Sequence, residues 1–255
     1  MWVILFLLSL FEDFFSISPS CQSRFVYGAT LHDFFVSECS FIGSNVNENG
    51  GVIKYENAVV HFVAEDCLFY NCRVGASNCG SGIYFKCTNG GIVVNRICAF
   101  YCYISSASSN NGVFMSSQSS NTNKNYLLLS SFRHCPHNSF SSSRYSINAF
   151  TYGYCQTKYI NMSQNYVERP FGYYTTLASF EFRYNTMVDS MGYVGYGFYI
   201  DGTSSSLDFI YLNYVNNSAN GNLGSANPAF IRFSVFKNNL NKLFSGSLTI
   251  RNCSI

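Results

Sequence analysis

The sequence predicts an all-β chain wound as a parallel β-solenoid. Two recurring segments and one compositional fact carry that reading. Cys-x-Phe recurs at Cys39-Ser-Phe41, Cys67-Leu-Phe69 and Cys98-Ala-Phe100, with fainter copies at Ser130-Ser-Phe132, Leu212-Asn-Tyr214, Ser234-Val-Phe236 and Cys253-Ser-Ile255. Gly50-Gly51-Val-Ile53-Lys-Tyr55 is echoed by Gly80-Ser-Gly82-Ile83-Tyr-Phe85 and Asn111-Gly112-Val113-Phe-Met115. Self-similarity at about 20 to 32 residues marks a solenoid, and short alternating apolar runs make its elements strands. Only 11% of residues are charged, against about 25% in an ordinary soluble chain, while 18% are aromatic. Twenty Tyr and 25 Phe are too much apolar surface for a disordered chain, rich in Ser, Asn and Gly as this one is.

Taken in order, the elements begin with an apolar run from Trp2 to Phe11, broken only by Ser9 and followed by Glu12-Asp13 and Ser16-Ile-Ser18-Pro19-Ser20. This pattern fits a secretory leader with a small-residue cleavage region. The run is too short for a membrane span of about 20 apolar residues. Residues 1–20 are expected to be a signal peptide or signal anchor, and 21–255 a single β-helix domain, most regular over 34–135. Phe34 to Ser44 reads as a partial coil. Asn49 to Ala76 supplies strands Val52–Tyr55, Val59–Val63 and Cys67–Tyr70. Cys79 to Ser106 repeats them as Gly82–Phe85, Gly91–Val94 and Ile97–Tyr103. A third copy has strands Gly112–Met115, Tyr126–Leu129 and Ser131–Phe132, with Ser116 to Asn125 as a polar loop. Looser strands follow over 145–152, 157–162, 173–184, 193–200, 207–215, 229–236 and 243–250.

The bends between such short strands need left-handed backbone, which Gly50-Gly51, Gly90-Gly91, Asn71 and Asn238 tolerate. Aligning the Cys-x-Phe copies puts Phe41, Phe69, Phe100 and Phe132 on one inward ladder, and Cys67 and Cys98 at equivalent places. About seven to nine coils are expected. The chain stops on a segment, Leu248 to Ile255, that repeats the coil pattern. An uncapped end exposes unpaired backbone, so the expectation is either a truncated form of a longer protein or a C-terminal coil that pairs with a partner or self-associates.

Phe35-x-x-x-Cys39-x-Phe41, the Gly-Gly-x-Ile-x-Tyr segments and Cys67-Leu-Phe69-Tyr-Asn71-Cys72 resemble the right-handed parallel β-helix proteins of the polymorphic outer membrane protein type, which include surface proteins of parasitic protists. The match covers Phe34 to Met115 best. The resemblance implies a right-handed β-helix of the pectin-lyase-like class, displayed at a cell surface. Those relatives often end in an anchor or barrel, neither of which is visible in this sequence.

The eleven cysteines form no Cys-x-x-Cys pair, which argues against a zinc site. Cys39, Cys67, Cys72, Cys79, Cys87, Cys98 and Cys102 are candidates for stacked buried thiols or disulfides. An odd count in a secreted chain leaves at least one thiol unpaired within it. His134-Cys135-Pro136-His137 is the most compact ligand-like group, but Pro136 bends it, and it reads as a turn. No metal or cofactor is expected. A net charge of +2 with no Lys/Arg run excludes the basic stripe that nucleic acid requires.

Hydrolysis of a polysaccharide would need two carboxylates about 5 to 10 Å apart, and a lyase an acidic calcium cluster with a base. Glu65-Asp66 are adjacent and expected to point to opposite faces. Asp189 and Asp201 read as turn residues, and only Asp201 and Asp208 are candidates to approach across a coil. No catalytic residue is assigned. Asn161, Asn216 and Asn252 begin Asn-x-Ser sequons and are candidate N-glycosylation sites, Asn216 at a corner position. Tyr193, Tyr196 and Tyr199 form a candidate aromatic binding face. The expected function is a secreted or cell-surface, non-catalytic β-helix protein that contacts a glycan or a host-cell surface protein in adhesion. A polysaccharide lyase or hydrolase is the alternative, and a structural coat protein the second alternative.

Overall fold

The computed structural model describes residues 25–27, 33–56, 61–75, 78–87, 89–105, 112–120, 122–135, 146–167, 173–175, 177, 179–192, 198–201, 207–219, 223–225, 229–240, 244–245 and 248–255. Among them there is no helix, and the paired strands are parallel. The leader segment lies outside the described residues.

Three long sheets form the walls of the solenoid. The first holds nine strands from Phe25–Tyr27 to Phe244–Ser245, the second nine from Phe34–Ser37 to Leu248–Arg251, and the third eight from Ser40–Ile42 to Val235–Lys237. Asn45–Val46, Arg73–Val74 and Tyr103–Ile104 add a short fourth side to the first three coils. Each strand pairs with its counterpart one coil earlier and one coil later, which is the β-solenoid that the repeats predict. In the second sheet the step between coils narrows from 33 residues, Ile92 to Asn125, to 19, Ile231 to Ile250.

Left-handed corners make the turns. Between the second and third sheets, Glu38, Asp66, Arg96, Leu129, Tyr159, Tyr184, Tyr211, Phe233 and Asn252 all have φ between 49° and 58°. The next residue points inward, as Cys67, Ile97, Ser130, Ile160, Asn185, Leu212 and Ser234, all buried. The carbonyl before each bend accepts a backbone N–H of the preceding coil, as Glu65, Leu128 and Arg232 do from Glu38, Arg96 and Tyr211, and its second lone pair is open to an inward donor. Cys67 Sγ donates to the Glu65 carbonyl (3.0 Å), Ser130 Oγ to Leu128 (2.6 Å) and Ser234 Oγ to Arg232 (2.9 Å), each two residues back. Cys and Ser are therefore interchangeable at the head of the Cys-x-Phe motif.

The far corner of the third sheet works the same way. Asn71, Tyr101, His134, Gln164, Asp189, Asn216 and Asn238 are left-handed there, and Cys72, Cys102, Cys135, Asn165, Ser190 and Asn217 turn inward behind them. Toward the C-terminal coils this column becomes a hydrogen-bonded ladder. The Cys135 N–H donates to Asn165 Oδ1 (2.9 Å), that of Asn165 to Ser190 Oγ (3.2 Å), and that of Ser190 to Asn217 Oδ1 (3.0 Å).

The interior ladder of the third sheet departs from expectation at one rung. Its register runs Phe41, Phe69, Ala99, Phe132, Met162, Met187, Tyr214, Phe236. Phe100 pairs with Tyr70 and Arg133 in the outward column. Cys98-Ala-Phe100 is thus one residue out of step with Cys67-Leu-Phe69: Ile97 is the inward corner residue, and Cys98 is exposed opposite Leu68. A one-residue slip moves every side chain to the other face. Phe114, on Gly112–Gln118 in the first sheet, fills the space beside Ala99. Its ring lies 5.1 Å from Phe69 and 5.2 Å from Phe132, and it is fully buried. Gly82 lets it approach, since a Cβ there would stand 2.2 Å from the Phe114 ring. The same strand corrects the loop expected over 116–125. Ser116, Ser117 and Gln118 pair on both sides, and only 119–123 connect to Lys124–Leu128.

Candidate functional site

Tyr159, Tyr184, Tyr211 and Phe233 stand at consecutive left-handed corners, where a side chain points straight out from the solenoid. Left-handed backbone costs a non-glycine residue about 1–2 kcal/mol. Asn or Gly would tolerate the corner better. The rings offset the strain by stacking, which contributes about 0.5–1.5 kcal/mol per pair. Centroids are 4.9 Å apart for Tyr159–Tyr184 (4° between planes), 4.9 Å for Tyr184–Tyr211 (9°) and 5.4 Å for Tyr211–Phe233 (21°). The spacing follows the distance between strands. These four residues remain 52%, 42%, 46% and 45% exposed.

The flanks differ in chemistry. On the second-sheet side, Lys158, Arg183, Ile210, Arg232 and Arg251 form one outward column. Glu181 and Asp208 lie in the next column, farther from the rings. Lys158 Nζ is 3.1 Å from Glu181 Oε2, and Arg183 Nε 2.7 Å from Glu181 Oε1. Arg232 pairs with Asp208, its Nε 3.1 Å from Oδ1. Partial burial would raise the Glu181 pKa, but hydrogen bonds from Lys158 and Gln156, with the Lys158 and Arg183 charges, hold it below the usual carboxylate value. On the third-sheet side stand Asn161, Thr186, Asn213 and Val235.

The N-terminal coils provide an internal control. Their corner positions hold Glu38, Asp66, Arg96 and Leu129, and the flanking column holds Ser37, Glu65, Asn95 and Leu128. The fold therefore accepts acidic, basic or aliphatic side chains where the later coils place aromatics. Glu65 and Asp66 do not point apart as expected. The left-handed bend at Asp66 breaks strand alternation, and both carboxylates meet Arg96, at 3.2 Å and 2.5 Å.

A second aromatic cluster lies on the N-terminal part of the third sheet. Ile42, Tyr70, Phe100 and Arg133 share an outward column, with the Arg133 guanidinium 5.8 Å from the Phe100 ring centre. His134 stacks on Tyr101 at 5.1 Å. His134 faces out while Cys135 is buried; Pro136 and His137 lie outside the described residues.

Tyr193 and Tyr196 also lie outside the described residues, and Tyr199 is placed only by its backbone, on the strand Phe198–Asp201. Asn161, Asn216 and Asn252 are exposed, with Asn161 beside the ring stack and Asn252 next after Phe233 in the corner column. At Asn216 the corner residue is the exposed one, and Asn217 faces inward. Cys39 is disulfide-bonded. Cys67, Cys72, Cys79 and Cys102 are buried free thiols, Cys87 is buried, and Cys98 is free and exposed. Burial pushes the Cys67 and Cys79 thiols up to about 11. Among the described residues no three His, Cys, Asp or Glu side chains converge to hold a metal. Asp208 is engaged by Arg232, and Asp201 belongs to the first sheet rather than the second.

The ring stack escaped sequence reasoning, although a signal existed. An aromatic residue immediately precedes the inward corner residue in Tyr159-Ile160, Tyr184-Asn185, Tyr211-Leu212 and Phe233-Ser234. No protein-family model, curated protein or solved structure matches the chain.

Proposed function

We propose that this chain is a secreted or cell-surface β-solenoid that works by non-catalytic contact with a glycan, through the corner bearing Tyr159, Tyr184, Tyr211 and Phe233. The observation that carries the proposal is the exposed stack itself. Four large rings occupy strained, solvent-facing positions that the same fold fills with Glu, Asp, Arg and Leu elsewhere. Every coil makes this left-handed bend, so it is the run of exposed rings at the corner, and not the backbone strain, that supports the reading. The finer kinship, with β-helix proteins of the polymorphic outer membrane protein type, belongs to the same proposal and rests on the Phe35 to Phe41 and Gly50 to Tyr55 motifs.

The test is binding of the purified full chain to a panel of polysaccharides and to intact cells, beside a Tyr184→Asn/Tyr211→Asn double variant. Asn is at home in left-handed backbone, so the variant keeps the corner and removes two rings. Binding by the parent that the variant loses supports the reading. Equal binding by both removes the corner from it. Release of unsaturated or reducing ends from uronate polymers would favour the lyase or hydrolase alternative.

A further inference from the structure

The way the rings stack restricts what they can hold. Tyr184 has Tyr159 against one face and Tyr211 against the other, and Tyr211 lies between Tyr184 and Phe233. A sugar lying along the corner finds the inner ring faces already covered. What remains exposed is ring edge and phenol hydroxyl. The edge of an aromatic ring is the positive end of its quadrupole, and the hydroxyl is a donor.

The flanking column has the same sign. Lys158, Arg183 and Arg232 each directly precede a ring, and Arg251 continues the column. These four cations face two carboxylates, Glu181 and Asp208, set on the side away from the rings. Both carboxylates are engaged by the cations, so a positive strip borders the stack. In the N-terminal coils the same corner and flank carry Glu38, Glu65 and Asp66 against Arg96. An anion is thus repelled from one half of this edge and drawn to the other.

Resting on the glycan-contact reading, we infer that the ligand is an anionic linear polysaccharide lying along the solenoid axis. Its carboxylate or sulfate groups meet the tyrosine hydroxyls and the Lys158–Arg183–Arg232 column. Asn161, Thr186 and Asn213 offer hydrogen bonds to its hydroxyls from the other side.

The experiment measures binding of the full chain, made in a host that adds no N-glycans, to polygalacturonate, chondroitin sulfate, a neutral β-glucan and a single-stranded polynucleotide. Parent, Tyr184→Asn/Tyr211→Asn, Arg183→Gln, Arg232→Gln and Arg133→Gln are compared after urea unfolding shows each to be folded. The expected result is binding of one or both anionic glycans. It should weaken about tenfold with Arg183→Gln or Arg232→Gln, stay unchanged with Arg133→Gln, and be lost near 1 M salt, where screening length is about 3 Å. Preference between the first two polymers tells carboxylate from sulfate. Ring-dependent binding of the neutral glucan, unaffected by the arginine variants, would overturn the inference and leave the proposed function standing. Equal binding of the polynucleotide would overturn it as well, reducing the strip to a bare charge effect. Failure of every glycan to bind through the rings would remove both.

Discussion

Phe114 occupies the space that Ala99 leaves in the interior ladder. Ala99 pairs between Phe69 and Phe132, and the Phe114 ring, coming from a different sheet, packs within 5.2 Å of both. Two sheets thus share one aromatic column, and a small residue in one strand sets the need for a large one in another.

Phe114→Ala is expected to cost about 3–5 kcal/mol, as a buried ring lost to a cavity. Ala99→Phe overpacks the same space and costs about 1–3 kcal/mol or more. Combined, the two changes place a ring back in the column. The double variant should therefore be more stable than the sum of the single losses predicts, by about 1 kcal/mol or more. Urea unfolding of the four proteins measures this coupling. Simple additivity would show that the two side chains do not share one space.

The thiols should divide by burial. With Cys67 and Cys79 raised to about 11, only about one in a thousand of each is thiolate at pH 8. Exposed Cys98 is expected to be alkylated first by iodoacetamide in the native protein. Cys67, Cys72, Cys79, Cys87, Cys102, Cys135 and Cys155 should react only after denaturation. Peptide mass spectrometry locates the label, and rapid native labelling of Cys72 or Cys102 would contradict the burial described here.

Glu181 links stability to pH. Its folded pKa lies below the ordinary 4.5, so its contribution is fully present above about pH 4.5 and is lost as pH falls through the lower folded value. Glu181→Gln should then be less stable than the parent at neutral pH by a few tenths to about 1 kcal/mol, as for a largely solvated ion network. That difference should vanish on acidification. Urea midpoints measured across this range decide it, and a difference independent of pH would exclude the ionised carboxylate as its source.

Tyr184→Asn should change stability little, because relief of left-handed strain offsets the two lost stacking contacts, each about 1 kcal/mol. Tyr184→Val has no such relief, since a β-branched residue fits left-handed backbone poorly. It is expected to be the less stable of the two by about 1 kcal/mol. Thermal or urea unfolding of both variants provides the comparison.

The Asn/Ser ladder at the far corner supports the C-terminal coils. Asn165→Leu removes the acceptor for the Cys135 N–H and the donor to the Phe132 carbonyl. The buried Cys135 N–H is left unpaired, at about 1–3 kcal/mol, while the Phe132 carbonyl, which lies within the paired strand Ser131–Arg133, loses an additional donor. Hydrogen exchange at the Cys135 amide should accelerate along with the loss in unfolding free energy.

Much of the winding was legible in the sequence because it is set within a single coil. An inward ring two residues after the inward corner residue reads directly at Phe41, Phe69, Phe132, Tyr214 and Phe236, and left-handed Asn at Asn71 and Asn238 follows from residue type. Copies headed by Ile160 and Asn185 were hidden because Met162 and Met187 replace the ring. Tertiary structure alone decided the rest. Alternation has a period of two, so Cys98-Ala-Phe100 looks equally sound on either face until the neighbouring coils fix the corner at Ile97. Phe114 enters the gap at Ala99 from another sheet, a contact that no local pattern encodes. The exposed stack is likewise made of residues 22 to 27 positions apart, and winding the chain brings them to within 4.9–5.4 Å of one another.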